Sequence, residues 1–196
     1  TASIVRDSFP QEARLSIIRR ERKNGIGAAY LEGMQWGLQK GFDLFIQMDG
    51  DSSHDPAQIE EILHRAEQHD FIVLSRWIDG AGAQGMSKWR HWLSDCCNRI
   101  ACFLLRVHVK DLTSGYCAFS SRVLSKILNK NKLSSGYAFQ IQLKCYALFF
   151  GFKAGEIPIR YRRRIGGSSK LTLRIFAQTV FSVSFLVLRR LLGRVS

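Results

Sequence analysis

Two aspartates one residue apart, Asp49 and Asp51, stand in the stretch QMDGDSSHDP at residues 47–56. An apolar run from Phe42 to Met48, broken only by Asp43 and Gln47, leads straight into them. Burying uncompensated carboxylates costs far too much for this to be core packing. The stretch is therefore either an exposed turn or the seat of something cationic. An Asp-x-Asp on a strand-end turn can direct both carboxylates at one divalent cation, and Mg²⁺ and Mn²⁺ take oxygen ligands that they share with substrate phosphates. A calcium loop competes with this reading. Counted from Asp49, its positions 1, 3, 5, 7 and 12 hold Asp49, Asp51, Ser53, Asp55 and Glu60, a fair match by residue type. It fails where geometry is strict: position 6 needs glycine and holds His54, Pro56 follows at position 8, and a strand instead of a helix precedes the loop. A purely structural turn stays open beside the metal site.

Other residues suited to phosphate fall at element ends. Asn24-Gly25-Ile26-Gly27 lies between an apolar run and a helix, where Gly25 and Gly27 let backbone N–H groups approach phosphate oxygens. No Gly-Lys-Ser/Thr follows, so this is no P-loop, and a plain turn fits equally. Arg76 closes the run FIVLS, Arg90 and Ser94 sit one helical turn apart, and Arg164 and Lys170 flank the GGSS of residues 166–169. The arginine fork matches phosphate oxygens, and several arginines together bind phosphate strongly. Each taken alone is also what a solvated surface charge looks like.

These side chains need a frame. LSII (15–18) is a short apolar run, Ala28–Gln39 has helical spacing ended by Gly41, and FDLFIQM (42–48) is the next strand. Asp55-Pro56 reads as an N-cap with proline at the first helical position, and Ile59, Ile62, Leu63 and Ala66 form that helix's apolar stripe. FIVLS (71–75) is continuous, as expected of a strand covered on both faces. Strands alternating with helices at this spacing predict an α/β sheet with right-handed crossovers. A helix from Lys88 to Arg106 carries an apolar stripe of Trp89, Trp92, Leu93, Cys96, Cys97, Ile100, Leu104 and Leu105, with Arg90, Ser94 and Asn98 on another face. Helices over 121–128 and 137–150 follow, the second ended by Gly151. In AGEIPIRY (154–161), Pro158 predicts an edge strand, and RRRIGGSSK (162–170) is a basic glycine-rich loop.

Composition narrows the class. At 196 residues, 46% hydrophobic and 23% charged, the chain has the make-up of one globular domain. Its 29 Lys+Arg against 16 Asp+Glu give +13, which favours an anionic partner. The five cysteines form no CxxC pair, which argues against a disulfide framework or a zinc site and for reduced thiols. Residues 175–188, IFAQTVFSVSFLVL, carry no charge and are followed by Arg189, Arg190 and Arg194. As a helix these residues span about 21 Å, short of a bilayer crossing. They read either as a buried terminal helix or as a membrane-surface helix with arginines at the headgroups.

Taken in order, QMDGDSSHDP, SRW, DLTSGYCAFSSRVL, GYAFQ and EIPIRYRRRIGGSSK resemble the dolichol-phosphate mannosyltransferases, inverting nucleotide-sugar-dependent enzymes of glycosyltransferase family 2. The resemblance runs from about Leu15 to Lys170, and the pairing of DLTSGY with the GGSSK loop is its most specific part. It implies a GT-A-like (Rossmann-like) fold with a mixed, mostly parallel sheet flanked by helices. It also implies transfer of mannose or a related hexose from a nucleotide diphosphate sugar, GDP-mannose above all, to a polyprenyl (dolichyl) phosphate. On this resemblance Asp49 and Asp51 hold Mg²⁺ or Mn²⁺ against the donor diphosphate, with Ser53 as a weaker third ligand. Catalysis rests on Asp49, Asp51, Arg76 and Arg164. Gly25, Gly27, Arg164 and Lys170 join the two aspartates in binding the donor. Arg76, Arg90 and Ser94 bind the acceptor phosphate, and Asp111, Thr113, Ser114 and Gly115 line the cleft. It further implies that residues 1–170 form an N-terminally incomplete catalytic domain and 171–196 a C-terminal amphipathic or membrane-associating helix, with the protein on the cytoplasmic face of a membrane, peripheral or C-terminally anchored.

The sequence departs from this pattern in three places, one of them the C-terminal apolar segment, which is too short for a full membrane span. TASIVRDSF matches the helix that follows the family's second strand, so the family's first strands are expected to be missing, roughly one βα unit and a strand. Gln142 stands where the family has a glutamate. The competing function is a non-catalytic basic module, or a degenerate relative, that binds acidic membrane lipid or RNA. No nucleic-acid motif is present and the aromatics lie at core spacing away from the basic runs, so no nucleic-acid partner is expected.

Overall fold

The computed structural model describes residues 2–10, 12, 14–83, 88–131, 133–161 and 173–193. Helix α1 (Ala2–Ser8) opens the chain and α2 (Ile26–Gln39) follows, its end turned by Gly41 at φ 77°. Strand β1 (Leu44–Gln47) leads to the Asp-x-Asp turn. Asp55 then accepts from the Ala57 N–H, and with Pro56 beside it starts a 3₁₀ turn (Pro56–Gln58) that continues as α3 (Ile59–Ala66). Strand β2 (Phe71–Ser75), the two-residue β3 (Gly82–Ala83) and the long α4 (Lys88–Leu105) come next. After them lie β4 (Cys117–Ser120), α5 (Ser121–Lys130), α6 (Phe139–Phe149), β5 (Ala154–Pro158), β6 (Arg160–Tyr161) and α7 (Leu173–Leu191).

The main sheet has the order β1-β4-β2-β5. Strand β4 is antiparallel to both β1 and β2, while β2 and β5 run parallel. Three of the four strands therefore share a direction, and the sheet is mixed because β4 is inserted against them. Alternation on β2 builds two cores: Phe71 and Val73 pack with Cys117, Phe119 and residues of α5, α6 and α7, while Ile72 and Leu74 pack with Tyr116, Ala118, Ile157 and Ile62 of α3. All five β2 residues are buried, as a strand covered on both faces requires. Strand β5 lies at the edge with Pro158 at its end, where a missing N–H costs no ladder bond.

Three expectations change. LSII forms no strand: Leu15 and Ile18 are exposed, and among the described residues no strand pairs with this segment. CAFS, unmarked as a strand in the sequence, is β4 at the centre of the sheet. Most of the apolar stripe of α4 is not a core face; of its residues Leu105 alone is fully buried among those described. Trp89 is 65% exposed, and Trp92, Leu93, Ile100, Phe103 and Leu104 are exposed as well. The buried side of α4 is the Asn98, Ala101 and Leu105 line, with contacts to α7. Helix α7 places Val183 and Leu186 in the core and leaves Phe181, Phe185 and Leu188 outside.

Candidate active site

Because β4 is antiparallel, the segment leading into it arrives at the end of the sheet where β1 and β2 finish. The β1–β4 register pairs Gln47 with Cys117, and two residues further it sets Asp49 opposite Gly115. A Cβ at Gly115 would lie 3.8 Å from Asp49 Oδ2 and from His54 Cε1, so the glycine keeps space open beside that carboxylate. Ligands of open α/β sheets bind at this kind of strand end.

The turn that carries the aspartates is held from within. Ser53 donates its N–H and its hydroxyl to Asp51 Oδ1, at 3.1 and 2.5 Å, and Ser52 takes φ 65° to let the chain close. His54 Nδ1 accepts the Asp49 N–H at 3.0 Å, and its ring stacks on Tyr116 at 4.8 Å. The Tyr116 hydroxyl in turn donates to the Asp55 carbonyl at 3.0 Å. His54 thus anchors the turn to the strand-end segment, a role its place in the sequence did not reveal. Tyr30 of α2 donates its hydroxyl to Asp49 Oδ1 at 3.0 Å. Burial, and then the Asp49 charge, push the Tyr30 phenol far above its ordinary value, so it stays protonated and remains a donor.

Arg76 follows β2 directly and meets Asp111. Its Nε and Nη2 donate to the two oxygens of that carboxylate at 2.8 and 2.9 Å, and its N–H adds a third bond at 3.1 Å. The Asp111 side chain is wholly buried; Arg76 is 16% exposed. Burial alone would raise the Asp111 carboxyl, but the Arg76 charge and hydrogen bonds, with Lys144 behind them, hold it below its ordinary value. Arg76 Nη2 also reaches Thr113 Oγ1 at 2.5 Å. Ser114 donates its hydroxyl to the Leu74 carbonyl at 2.6 Å and ties this segment to β2.

Lys144 of α6 was not singled out in the sequence and is the most unusual residue of this region. It is fully buried, and its Nζ donates to the carbonyls of Ser114 at 2.7 Å, Leu112 at 3.0 Å and Gln140 at 3.4 Å. Asn98 of α4 completes the scaffold: its amide N–H donates to the Lys110 carbonyl, and its oxygen accepts the Leu112 N–H at 3.0 Å. The run YAFQIQLK offers only a lysine at helical spacing; nothing in it marks burial.

The structure thus brings Asp49, Asp51, Arg76, Thr113 and Gly115 to one end of the sheet. Asp111 and Ser114, expected to line the cleft, are buried beneath it and act as its support. Ser53, expected as a third ligand, is buried with its hydroxyl turned to Asp51. Gly25 and Gly27 face the loop before α6. A Cβ on Gly25 would stand 2.3 Å from the Ser135 carbonyl, and one on Gly27 2.6 Å from the Ser134 carbonyl. The Ala28 N–H, in the first turn of α2, donates to Ser135 O at 3.2 Å. This packing explains both glycines without a phosphate. Ser94 is half-buried on α4. The Arg90 side chain, Arg164 and Lys170 lie outside the described residues. Gln142, at the family's acidic position, accepts the Ser134 N–H at 2.7 Å and is buried.

The donor set fits a hard divalent cation. Asp49 and Asp51 supply two carboxylates, and among the described residues no cluster of three or more His, Cys, Asp or Glu exists. Two carboxylates are what Mg²⁺ or Mn²⁺ uses when phosphate oxygens and water complete its shell. A cavity of about 310 Å³ lies beside Trp77 and α4, and one of about 510 Å³ beside the end of α5; neither is lined by the aspartates.

Comparison with known proteins adds a second line. The family model described as glycosyl transferase family 2 matches residues 1–128. The chain is 36% identical over 172 residues to a polyprenol monophosphomannose synthase of Mycolicibacterium smegmatis, covering 87% of this chain and 65% of that protein. It is 29% identical over 174 residues to an undecaprenyl-phosphate mannosyltransferase of Micrococcus luteus, covering 89% of this chain and 72% of that one. The chain therefore spans about two thirds of the length of these curated relatives.

Proposed function

The chain belongs to glycosyl transferase family 2, and from that premise we propose that it transfers mannose from a nucleotide diphosphate sugar, GDP-mannose, to a polyprenyl phosphate. One observation carries the reading: the antiparallel β4 sets the Asp111–Gly115 segment, with Arg76 clamped on it, next to the Asp49–Asp51 turn. Paired carboxylates and a positioned guanidinium then share one strand-end site, suited to a cation-bound diphosphate on one side and a phosphate on the other. Asp49 and Asp51 would hold Mg²⁺ or Mn²⁺, which offsets the charge that develops on the leaving nucleoside diphosphate. Arg76, with Arg90 and Ser94 of α4, orients the acceptor phosphate; Arg164 and Lys170 belong to the donor side. The acceptor is already an anion, so the side chains have to align it and exclude water more than remove a proton.

The acceptor is a lipid, and the exposed faces of α4 and α7 are suited to one. Trp89, Trp92 and Phe103 on α4 and Phe181 and Phe185 on α7 are exposed, and the two helices touch. Arg189 and Arg190, which follow on α7, donate to the Tyr146 hydroxyl and to the Leu105 and Arg106 carbonyls, and the whole chain carries +13. An exposed apolar face on a chain of this net charge fits the interface of an anionic bilayer. Among the described residues no helix is long and apolar enough to cross a membrane.

The test is transfer of labelled mannose from GDP-mannose to polyprenyl phosphate in vesicles, with and without Mg²⁺ or Mn²⁺. Asp49→Ala and Asp51→Ala should each abolish it, and an unchanged rate would remove the metal assignment. Salt-dependent binding to RNA with none to polyprenyl phosphate vesicles would favour a basic binding module instead.

A further inference from the structure

We propose that Tyr30 is a positioning residue that fixes the Asp49 carboxylate in the orientation it presents to a divalent cation; this rests on the metal reading above. Tyr30 lies on the first turns of α2, whose start is locked by the contact of Gly25 and Gly27 with residues 134–136. Its ring lies parallel to Phe139 of α6, 6.1 Å between centroids and 5° between planes. Helix start and stacked ring together leave the hydroxyl little freedom, and it reaches Asp49 Oδ1 at 3.0 Å. A carboxylate held at one oxygen no longer spins about its last torsion. The other oxygen, Oδ2, is then the one on the side that Gly115 keeps open.

Two details argue that this hydroxyl is there for the carboxylate. Phenylalanine would make the same stack on Phe139, and among the described residues the other acceptor near the Tyr30 hydroxyl is the Met48 carbonyl, at a long 3.5 Å. Gln47, 3% exposed, also lies against the Tyr30 hydroxyl as a donor to the phenol oxygen, which leaves the O–H for Asp49. Groups that hydrogen-bond to a metal-ligating side chain set its direction, and losing one weakens metal binding by about 10- to 100-fold.

Tyr30→Phe deletes the hydroxyl and keeps the stack. Mn²⁺ binding is read directly from loss of the free-ion EPR signal, with GDP as the nucleotide, for wild type, Tyr30→Phe and Asp49→Asn. The expected result is an affinity about 10- to 100-fold weaker for Tyr30→Phe, with Tm within about 2 °C of wild type. Asp49→Asn should show no specific binding. Phe139→Leu, which loosens the ring but keeps the hydroxyl, should show a smaller loss in the same direction. Equal Mn²⁺ affinity in Tyr30→Phe and wild type overturns the role of Tyr30 and leaves the metal reading intact. A wild type that binds no Mn²⁺, or an Asp49→Asn variant that binds as wild type does, overturns the metal reading and this inference with it.

Discussion

Replacing Asp111 by asparagine tests whether the buried ion pair organises this end of the sheet. The carboxylate accepts five hydrogen bonds: three from Arg76 and two from Thr113. An asparagine offers one oxygen for the two that receive these donors, and its NH₂ group then faces a guanidinium or an amide N–H. The lost charge leaves Arg76, 16% exposed, and the fully buried Lys144 without their nearby anion. Breaking a buried pair from one side costs about 3–5 kcal/mol, and the partial exposure of Arg76 sets the expectation near the lower end, about 3 kcal/mol. With a urea m-value of about 2 kcal/mol/M, that moves the midpoint down by about 1.5 M. The pH dependence gives a second handle. The folded-state value of Asp111 is depressed, so its contribution is fully present above the unfolded value of about 3.9 and is lost as pH falls toward the folded one. The gap between wild type and Asp111→Asn should therefore be widest at neutral pH and close below about pH 4, by up to about 1.4 kcal/mol per unit. Urea melts at several pH values provide both readings. A gap below about 1 kcal/mol at neutral pH, or one that stays constant into acid, would show that the pair does not carry this load.

Three further outcomes follow from the packing. Gly27→Ala would press its Cβ to 2.6 Å from the Ser134 carbonyl and 2.8 Å from Phe139 Cβ; a loss of about 1–3 kcal/mol in urea melts is expected, and a neutral variant would mean that the loop before α6 gives way. Lys144→Met strands three carbonyls and should cost about 3 kcal/mol; in the folded fraction the acceptor KM should rise more than the donor KM, and an unchanged acceptor KM would uncouple Lys144 from Arg76. Changing Trp89, Trp92 and Phe103 together to serine should leave urea stability within about 0.5 kcal/mol per site while flotation with anionic vesicles falls; unchanged flotation would remove α4 from the proposed membrane face.

The sequence was most legible where one local rule decides the outcome. Asp55-Pro56 starts a helix, Gly41 and Gly151 end helices, and Pro158 marks an edge strand, because caps, positive φ and a missing N–H act within a few residues. The candidate site was legible as residue types, in Asp49, Asp51 and Arg76, but not as contacts. Strand β4 was hidden because CAFS is short and sits between turn residues and a helix, and its pairing with β1 and β2 spans 44–76 residues of chain. Everything that depends on that pairing was hidden with it: Gly115 opposite Asp49, Ser114 on Leu74, and Asp111 beneath Arg76. Periodicity also misled at α4, since a stripe at helical spacing records that one face is apolar and not what covers it.

Charge placement links these parts into one site. Lys144, Arg76 and Asp111 form a trio with one positive charge in excess, set beneath and beside a turn that carries the two negative charges of Asp49 and Asp51. Among these five residues the balance is one negative charge, which a divalent cation reverses to one positive. On the proposed metal reading, a bound cation would make these five residues attract phosphate more strongly, with their side chains in place beforehand. In water-accessible loops such an arrangement would be loose. Here Asp111 is buried under Arg76, Lys144 is buried under residues 112–114, and Tyr30 holds Asp49, so each charge exposed to ligand is braced by a group that solvent does not reach or screens weakly. Preorganised charges of this kind act where charge develops without first reorienting. The antiparallel strand matters for that reason: it is the element that brings the braced cationic segment to the same end of the sheet as the aspartate turn.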